Sequence, residues 1–222
     1  MQEIERRIAD ACRRSGRERA AVKLVGASKM HPEETLLEAH RAGLALFGEN
    51  RVQEGVRKAA ALPTEVEWHL LGPLQSNKVR PAVRTFSLFH AVDRPSIAAE
   101  LDREAALQGK RIGGLLEVNI GNESTKHGFS PGELATVAAP LATLTHLEIR
   151  GLMAIPPPGA DAEASRPWFR KLAALARELA GRPEWTGRIR ELSIGMSDDF
   201  EVAIEEGATY VRVGSALFGP RG

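Results

Sequence analysis

Eight short apolar runs separated by helical patterns constrain the fold of this chain more than any other feature of its sequence. They fall at residues 22–27, 44–47, 66–71, 87–92, 112–120, 147–155, 190–194 and 209–213. Each is apolar and β-branched enough to be buried on both faces, as strands of a parallel sheet must be. The segments between them carry apolar residues at helical spacing, as in Ile97, Leu101 and Ala105, or Phe169, Leu172, Ala176 and Leu179. Eight strand–helix units in 222 residues predict a closed (β/α)8 TIM barrel, because an open doubly wound sheet seldom needs so many regular units. An extra amphipathic helix, with Ile4, Ile8, Ala11 and Cys12 on one side and Gly16 as its stop, is expected ahead of the first strand. Pro156, Pro157 and Pro158 read as an exposed loop rather than a linker, so residues 1–222 are expected to form one barrel domain.

Charge and cysteine content narrow the function. Thirty Lys and Arg against 29 Asp and Glu leave a net charge of +1, too little for a broad field that would hold a nucleic-acid backbone or an anionic membrane. A small anionic ligand is compatible with that balance. The N-terminal residues lack the apolar core of a signal peptide, and no apolar run approaches membrane-spanning length. The single cysteine, Cys12, supplies neither a disulfide framework nor a thiolate metal site, and a cytoplasmic protein is expected. No His, Asp or Glu spacing suggests a metal site, and there is no nucleophile elbow.

In such barrels the reactive groups follow the C-terminal ends of the strands, and the loops after strands 7 and 8 form a recurrent phosphate cradle. Gly214 and Ser215 open a short turn whose free N–H groups suit a phosphate, and Ser197 adds a hydroxyl from the neighbouring loop. Ser197 equally suits the N-cap of a helix beginning at Asp198, and the two roles are compatible. Asp198 and Asp199 would repel a dianion, so both are expected to turn away. Lys29 directly follows the first strand, where desolvation disfavours the ammonium, and neutral lysine is a nucleophile for aldehydes. Lys78 and Lys126 compete with it on the same face. Arg212 falls inside strand 8 and calls for an acceptor, either a carboxylate in an internal ion pair or a ligand atom. His69 and His90 lie within strands and read as hydrogen-bonded core residues.

Six segments carry a family resemblance: Val25-Gly26-Ala27-Ser28-Lys29, Phe47-Gly48-Glu49-Asn50-Arg51-Val52-Gln53-Glu54, Trp68-His69-Leu70-Leu71-Gly72-Pro73-Leu74-Gln75-Ser76-Asn77-Lys78, Gly151-Leu152-Met153-Ala154-Ile155, Leu192-Ser193-Ile194-Gly195-Met196-Ser197-Asp198-Asp199 and Val211-Arg212-Val213-Gly214-Ser215-Ala216-Leu217-Phe218-Gly219. In this order the chain resembles the pyridoxal phosphate homeostasis protein family, relatives of the barrel domain of alanine racemase. The resemblance implies an alanine racemase N-terminal-domain type of barrel that holds pyridoxal 5′-phosphate (PLP) as a Schiff base on Lys29. It further implies that Ser197, Gly214 and Ser215 hold the phosphate, with Met196 beside them, that Arg212 faces the pyridine nitrogen, and that Asn50 lines the Lys29 end. A permanent cation at the ring nitrogen disfavours its protonation and weakens the ring as an electron sink.

In alanine racemase a second base, a tyrosine, comes from a C-terminal β domain across a dimer. Here the sequence ends at Gly222, and its single tyrosine, Tyr210, falls in strand 8. The resemblance therefore implies a cofactor-binding protein of vitamin B6 and amino-acid homeostasis without established catalytic activity. A monomer is expected, with PLP-dependent apo-enzymes as candidate recipients of the cofactor. The competing reading is a weak amino-acid racemase or another catalyst dependent on Lys29, and a further one is a barrel aldolase acting on a sugar phosphate.

Overall fold

The alternation of strand and helix closes on itself. In the computed structural model, which describes residues 1–219, β1 (Lys23–Ala27), β2 (Leu46–Glu49), β3 (Glu67–Leu70), β4 (Leu88–Val92), β5 (Ile112–Glu117), β6 (Leu147–Met153), β7 (Glu191–Ser193) and β8 (Tyr210–Val213) form a closed parallel barrel in sequence order. The helices between consecutive strands are α2 (Glu33–Arg41), α3 (Val52–Ala61), α4 (Val79–Thr85), α5 (Pro95–Leu107), α6 (Pro131–Ala142), α7 (Arg166–Ala180) and α8 (Phe200–Glu205). A final turn, α9 (Ser215–Phe218), follows β8, and among the described residues no helix is long and apolar enough to cross a membrane.

The expected extra helix is α1 (Gln2–Arg14), with Glu3 and Glu5 in its first turn and Arg13 and Arg14 in its last, the charge order that complements a helix dipole. It buries Ile4, Ile8, Ala11 and Cys12 and lies along α8, where Arg7 meets Glu201 at 2.7 Å and stacks 4.5 Å from the Phe200 ring.

Three strands differ from the apolar runs by two residues or more at one or both ends, the other five by a single residue at one or both ends. β2 begins two residues late because Leu44 still belongs to the end of α2, its N–H bonded to the Ala39 carbonyl at 3.0 Å. β5 stops at Glu117, where Val118, its N–H still bonded to the Met153 carbonyl, bridges Phe129 instead of a further strand residue, and β6 stops at Met153, ahead of the proline run.

Successive strand residues alternate between the barrel interior and the helical shell. Val25, Leu46, Leu71, Leu88, Leu115, Met153 and Tyr210 pack together inside, whereas Leu24, Phe47, Trp68, Phe89 and Val211 belong to the larger core under the helices. The same alternation sends His69, His90 and Ser193 inward, where both imidazoles pack edge-on against Tyr210. The barrel therefore has a polar thread through an otherwise apolar filling.

Candidate functional site

Lys29 and the Gly214–Ser215 turn emerge side by side at the C-terminal end of the barrel, because β1 pairs with β8 in the register Val25↔Arg212 and Gly26↔Val213. Lys29 is half-buried, and its amine has no hydrogen bond or ion pair among the described residues. Together with Asn50 it lines an open cavity of about 870 Å³ whose wall also includes Gln53, Glu54, Lys78 and Asp93. Lys126, by contrast, is engaged, paired with Glu123 at 2.6 Å and donating to the Ile155 and Pro156 carbonyls. Met196, Ser197, Arg212, Gly214 and Ser215 lie outside that cavity wall, on the β7–β8 side of the mouth.

On that side a nest forms around one hydroxyl. Ser197 Oγ accepts the N–H groups of both Gly214 and Ala216 at 3.3 Å, so its own proton is available to a third group. Ser197 is not the N-cap of the following helix: α8 begins at Phe200, two residues later than expected. The reason lies in the loop, where Asp199 turns back and accepts the Met196 N–H at 2.7 Å, while Asp198 faces solvent. Gly195 makes the turn possible, since at φ +87 an added Cβ would stand 2.5 Å from Ala203 Cβ and 2.9 Å from Phe200 Cα. Met196 is exposed beside the nest, and the Phe218 ring of α9 packs against His31 with centroids 5.0 Å apart.

Arg212 is 6% exposed and makes no ion pair among the described residues. Its Nη1 donates to Ser193 O at 2.7 Å and Ser193 Oγ at 2.5 Å, and its Nη2 to Ala154 O at 3.2 Å. The internal ion pair considered for this residue is thus absent. Burial pushes its pKa down to about 10, against the longer-range pull of Asp199 and Glu117, so the guanidinium remains a cation at neutral pH. A guanidinium has five N–H donors, and those three bonds leave donors over for a ligand acceptor.

Glu67, held as a carboxylate, only accepts, and with neutral rings it fixes the direction of the whole chain of bonds that ends at Arg212. Ser193 accepts from Arg212 and passes its own proton to His90 Nδ1 at 2.7 Å; His90 Nε2 then donates to His69 Nδ1 at 2.9 Å, and His69 Nε2 to Glu67 at 3.0 Å. Burial holds His90 well below its ordinary pKa, and the Arg212 cation, like any proton added to His69, pushes it the same way. Burial also lowers His69, although Glu67 pulls the other way. Both rings are neutral members of the hydrogen-bonded core, as their strand positions suggested, but their connection to Arg212 was not visible in the sequence.

A second group escaped sequence reasoning. Beneath Lys29 lie Glu49 and Lys58, both 0% exposed and paired at 2.6 Å, with Glu54 on the cavity side at 2.8 Å from the same ammonium. Burial raises the Glu49 pKa despite Lys58 and Ser28. The available signal was a lysine at the position of α3 that continues the buried face of Val52 and Gly55.

Comparison with known proteins gives these positions a context. The family model for the alanine racemase N-terminal domain matches residues 1–222. A pyridoxal phosphate homeostasis protein of Aquifex aeolicus (strain VF5) is 44% identical over 216 residues, covering 97% of this chain and 94% of the relative. That of Escherichia coli (strain K12) is 40% identical over 223 residues, covering 99% and 94%. Among solved structures, PipY of Synechococcus elongatus PCC7942 with PLP bound superposes with a TM-score of 0.84 at 40% identity, covering 97% of this chain and all of that one.

Proposed function

The chain belongs to the alanine racemase N-terminal domain family, and on that premise we propose that it is a PLP-binding protein of vitamin B6 and amino-acid homeostasis. The carrying observation is the β1–β8 edge of the barrel mouth, where an amine and a buried guanidinium, neither in an ion pair among the described residues, are set beside an amide-lined hydroxyl. That donor set fits the cofactor: Ser197 with Gly214 and Ser215 for the phosphate, Arg212 for the ring nitrogen, Lys29 for the aldehyde, with Asn50 at the Lys29 end and Met196 flanking the nest. When bound, PLP supplies an aldehyde that condenses with an amine with loss of water.

The protein's own residues hold that chemistry back. Arg212 stays charged, and a cation held at the ring nitrogen would favour the unprotonated ring, the weaker electron sink. Tyr210 is 2% exposed, and its hydroxyl lies within 3.4 Å of Lys23 Nζ and 3.3 Å of Glu191. Both partners sit at the first residues of their strands, the end of the barrel remote from Lys29. Burial and the neighbouring carboxylates push the Tyr210 pKa further up, so it does not act as a base at the mouth.

The protein therefore serves as a cytoplasmic, monomeric carrier or buffer that limits free PLP aldehyde and supplies apo-enzymes, rather than as a racemase. Titration with PLP is expected to give a visible absorption band that Lys29→Ala abolishes, with exchange of the amino-acid α-proton no faster than free PLP produces. Stereospecific α-proton exchange that depends on Lys29 would overturn the carrier reading in favour of an enzyme.

A further inference from the structure

We propose that Lys58 is a positioning residue for Lys29, setting the direction of its side chain from beneath by clamping the peptide groups on either side of it. The inference rests on the reading of Lys29 as the amine that captures the PLP aldehyde. Lys58 Nζ donates to the carbonyl of Ser28, the peptide group before the Lys29 Cα, at 2.7 Å. The same ammonium donates at 2.8 Å to Glu54 Oε1, which accepts the N–H of Met30, the peptide group after it, also at 2.8 Å. Its third donor goes to Glu49 Oε1 at 2.6 Å, and that oxygen accepts the Ser28 hydroxyl at 2.6 Å as well. Both peptide planes flanking Lys29 are thereby tied to one side chain, and those planes determine the Lys29 φ and ψ. Met30 follows at φ +66, a left-handed conformation that a non-glycine residue adopts only when its surroundings impose it.

Stability alone is a poor reason for such a cluster. A buried ion pair returns little over an apolar replacement, and here Glu49 keeps a buried Oε2 without a hydrogen-bond partner. With all three donors used and no exposure, Lys58 is not itself a nucleophile for the ligand. Its hydrogen bonds converge instead on the segment that carries the half-buried Lys29. Glu54 and Lys58 can meet because they stand four residues apart on one face of α3.

The test separates capture from binding. The rate at which the visible band forms on mixing with PLP is measured beside the affinity for pyridoxine 5′-phosphate, which carries an alcohol in place of the aldehyde. Three variants are compared with the native chain: Lys58→Met; Glu49→Gln with Lys58→Met, which removes both buried charges and serves if the single variant does not fold; and Glu54→Ala, a partly exposed position that releases the Met30 half of the clamp. Capture is expected to slow by about tenfold to a hundredfold in the Lys58 variants, with pyridoxine 5′-phosphate affinity held within about twofold, and by about threefold or more in Glu54→Ala. Unchanged capture in any folded variant overturns the inference, as does a parallel loss of capture and of pyridoxine 5′-phosphate affinity, the mark of a merely structural role. Failure of the native chain to form a borohydride-reducible adduct on Lys29 would instead overturn the reading beneath it.

Discussion

Lowering the pH from about 7.5 to about 5.5 is expected to destabilise the barrel through His90 and His69. The hydrogen-bond direction set from the Glu67 carboxylate has an acceptor nitrogen on each ring, so both are neutral, and burial depresses both folded-state pKa values below the ordinary 6.5. Between the depressed value and 6.5 the unfolded chain binds more protons than the folded one. The contribution is therefore fully present above about 6.5 and is lost as pH falls toward the folded pKa. One histidine that stays neutral when folded costs about 1.4 kcal/mol over that interval, and two cost up to about 2.7 kcal/mol. Glu49, Glu117 and Glu191, raised by burial, act in the opposite direction, while Glu67, lowered to about 2 by its bond to His69, matters only at stronger acidity. The readout is accordingly a difference: urea unfolding at both pH values for the native chain and for His90→Gln, with the variant losing about 1.4 kcal/mol less on acidification. Equal losses in the two proteins would refute a neutral His90 and, with it, the assigned direction of the chain behind Arg212.

Two substitutions test the other side of the mouth. Ser197→Ala removes a hydroxyl without disturbing buried packing, so PLP affinity is expected to fall about tenfold to a hundredfold while folding stability changes by less than about 1 kcal/mol; a fluorescence titration with unchanged affinity would remove Ser197 from the site. Gly195→Ala must place a side chain at φ +87 and 2.5 Å from Ala203 Cβ, so a loss of about 2–4 kcal/mol is expected in urea unfolding. A loss under about 0.5 kcal/mol would show that the loop simply rearranges.

The barrel was legible because its strands are buried on both faces and so stand out as apolar runs, even β7, which has only three residues. Strand ends were less so. Leu44 is apolar because it packs at the end of α2, whereas Gly48 and Glu49, which read as loop, belong to β2. Local rules also failed at Ser197, whose spacing from Asp198 suggests a cap. Its actual partners, Gly214 and Ala216, are 17 and 19 residues away. Strand position made Lys29 and Arg212 candidates, but it left Lys78 and Lys126 as competitors and an internal ion pair open for Arg212; the family resemblance chose between them. Lys58 could not be singled out, because a Glu54–Lys58 spacing looks the same on a solvated helix face, and only the closed barrel puts Glu49 and the Ser28 carbonyl above it. In the same way strand parity sends His69, His90 and Ser193 inward, but only closure lines them up with Arg212.

The most direct measurement is reductive trapping. The purified protein is mixed with PLP, treated with borohydride and digested, and the peptides are mapped by mass. A phosphopyridoxyl group on the peptide containing Lys29, with Lys58, Lys78 and Lys126 unlabelled, is the expected result; a label mainly on another lysine, or none at all, would contradict the placement of the cofactor at the β1–β8 edge.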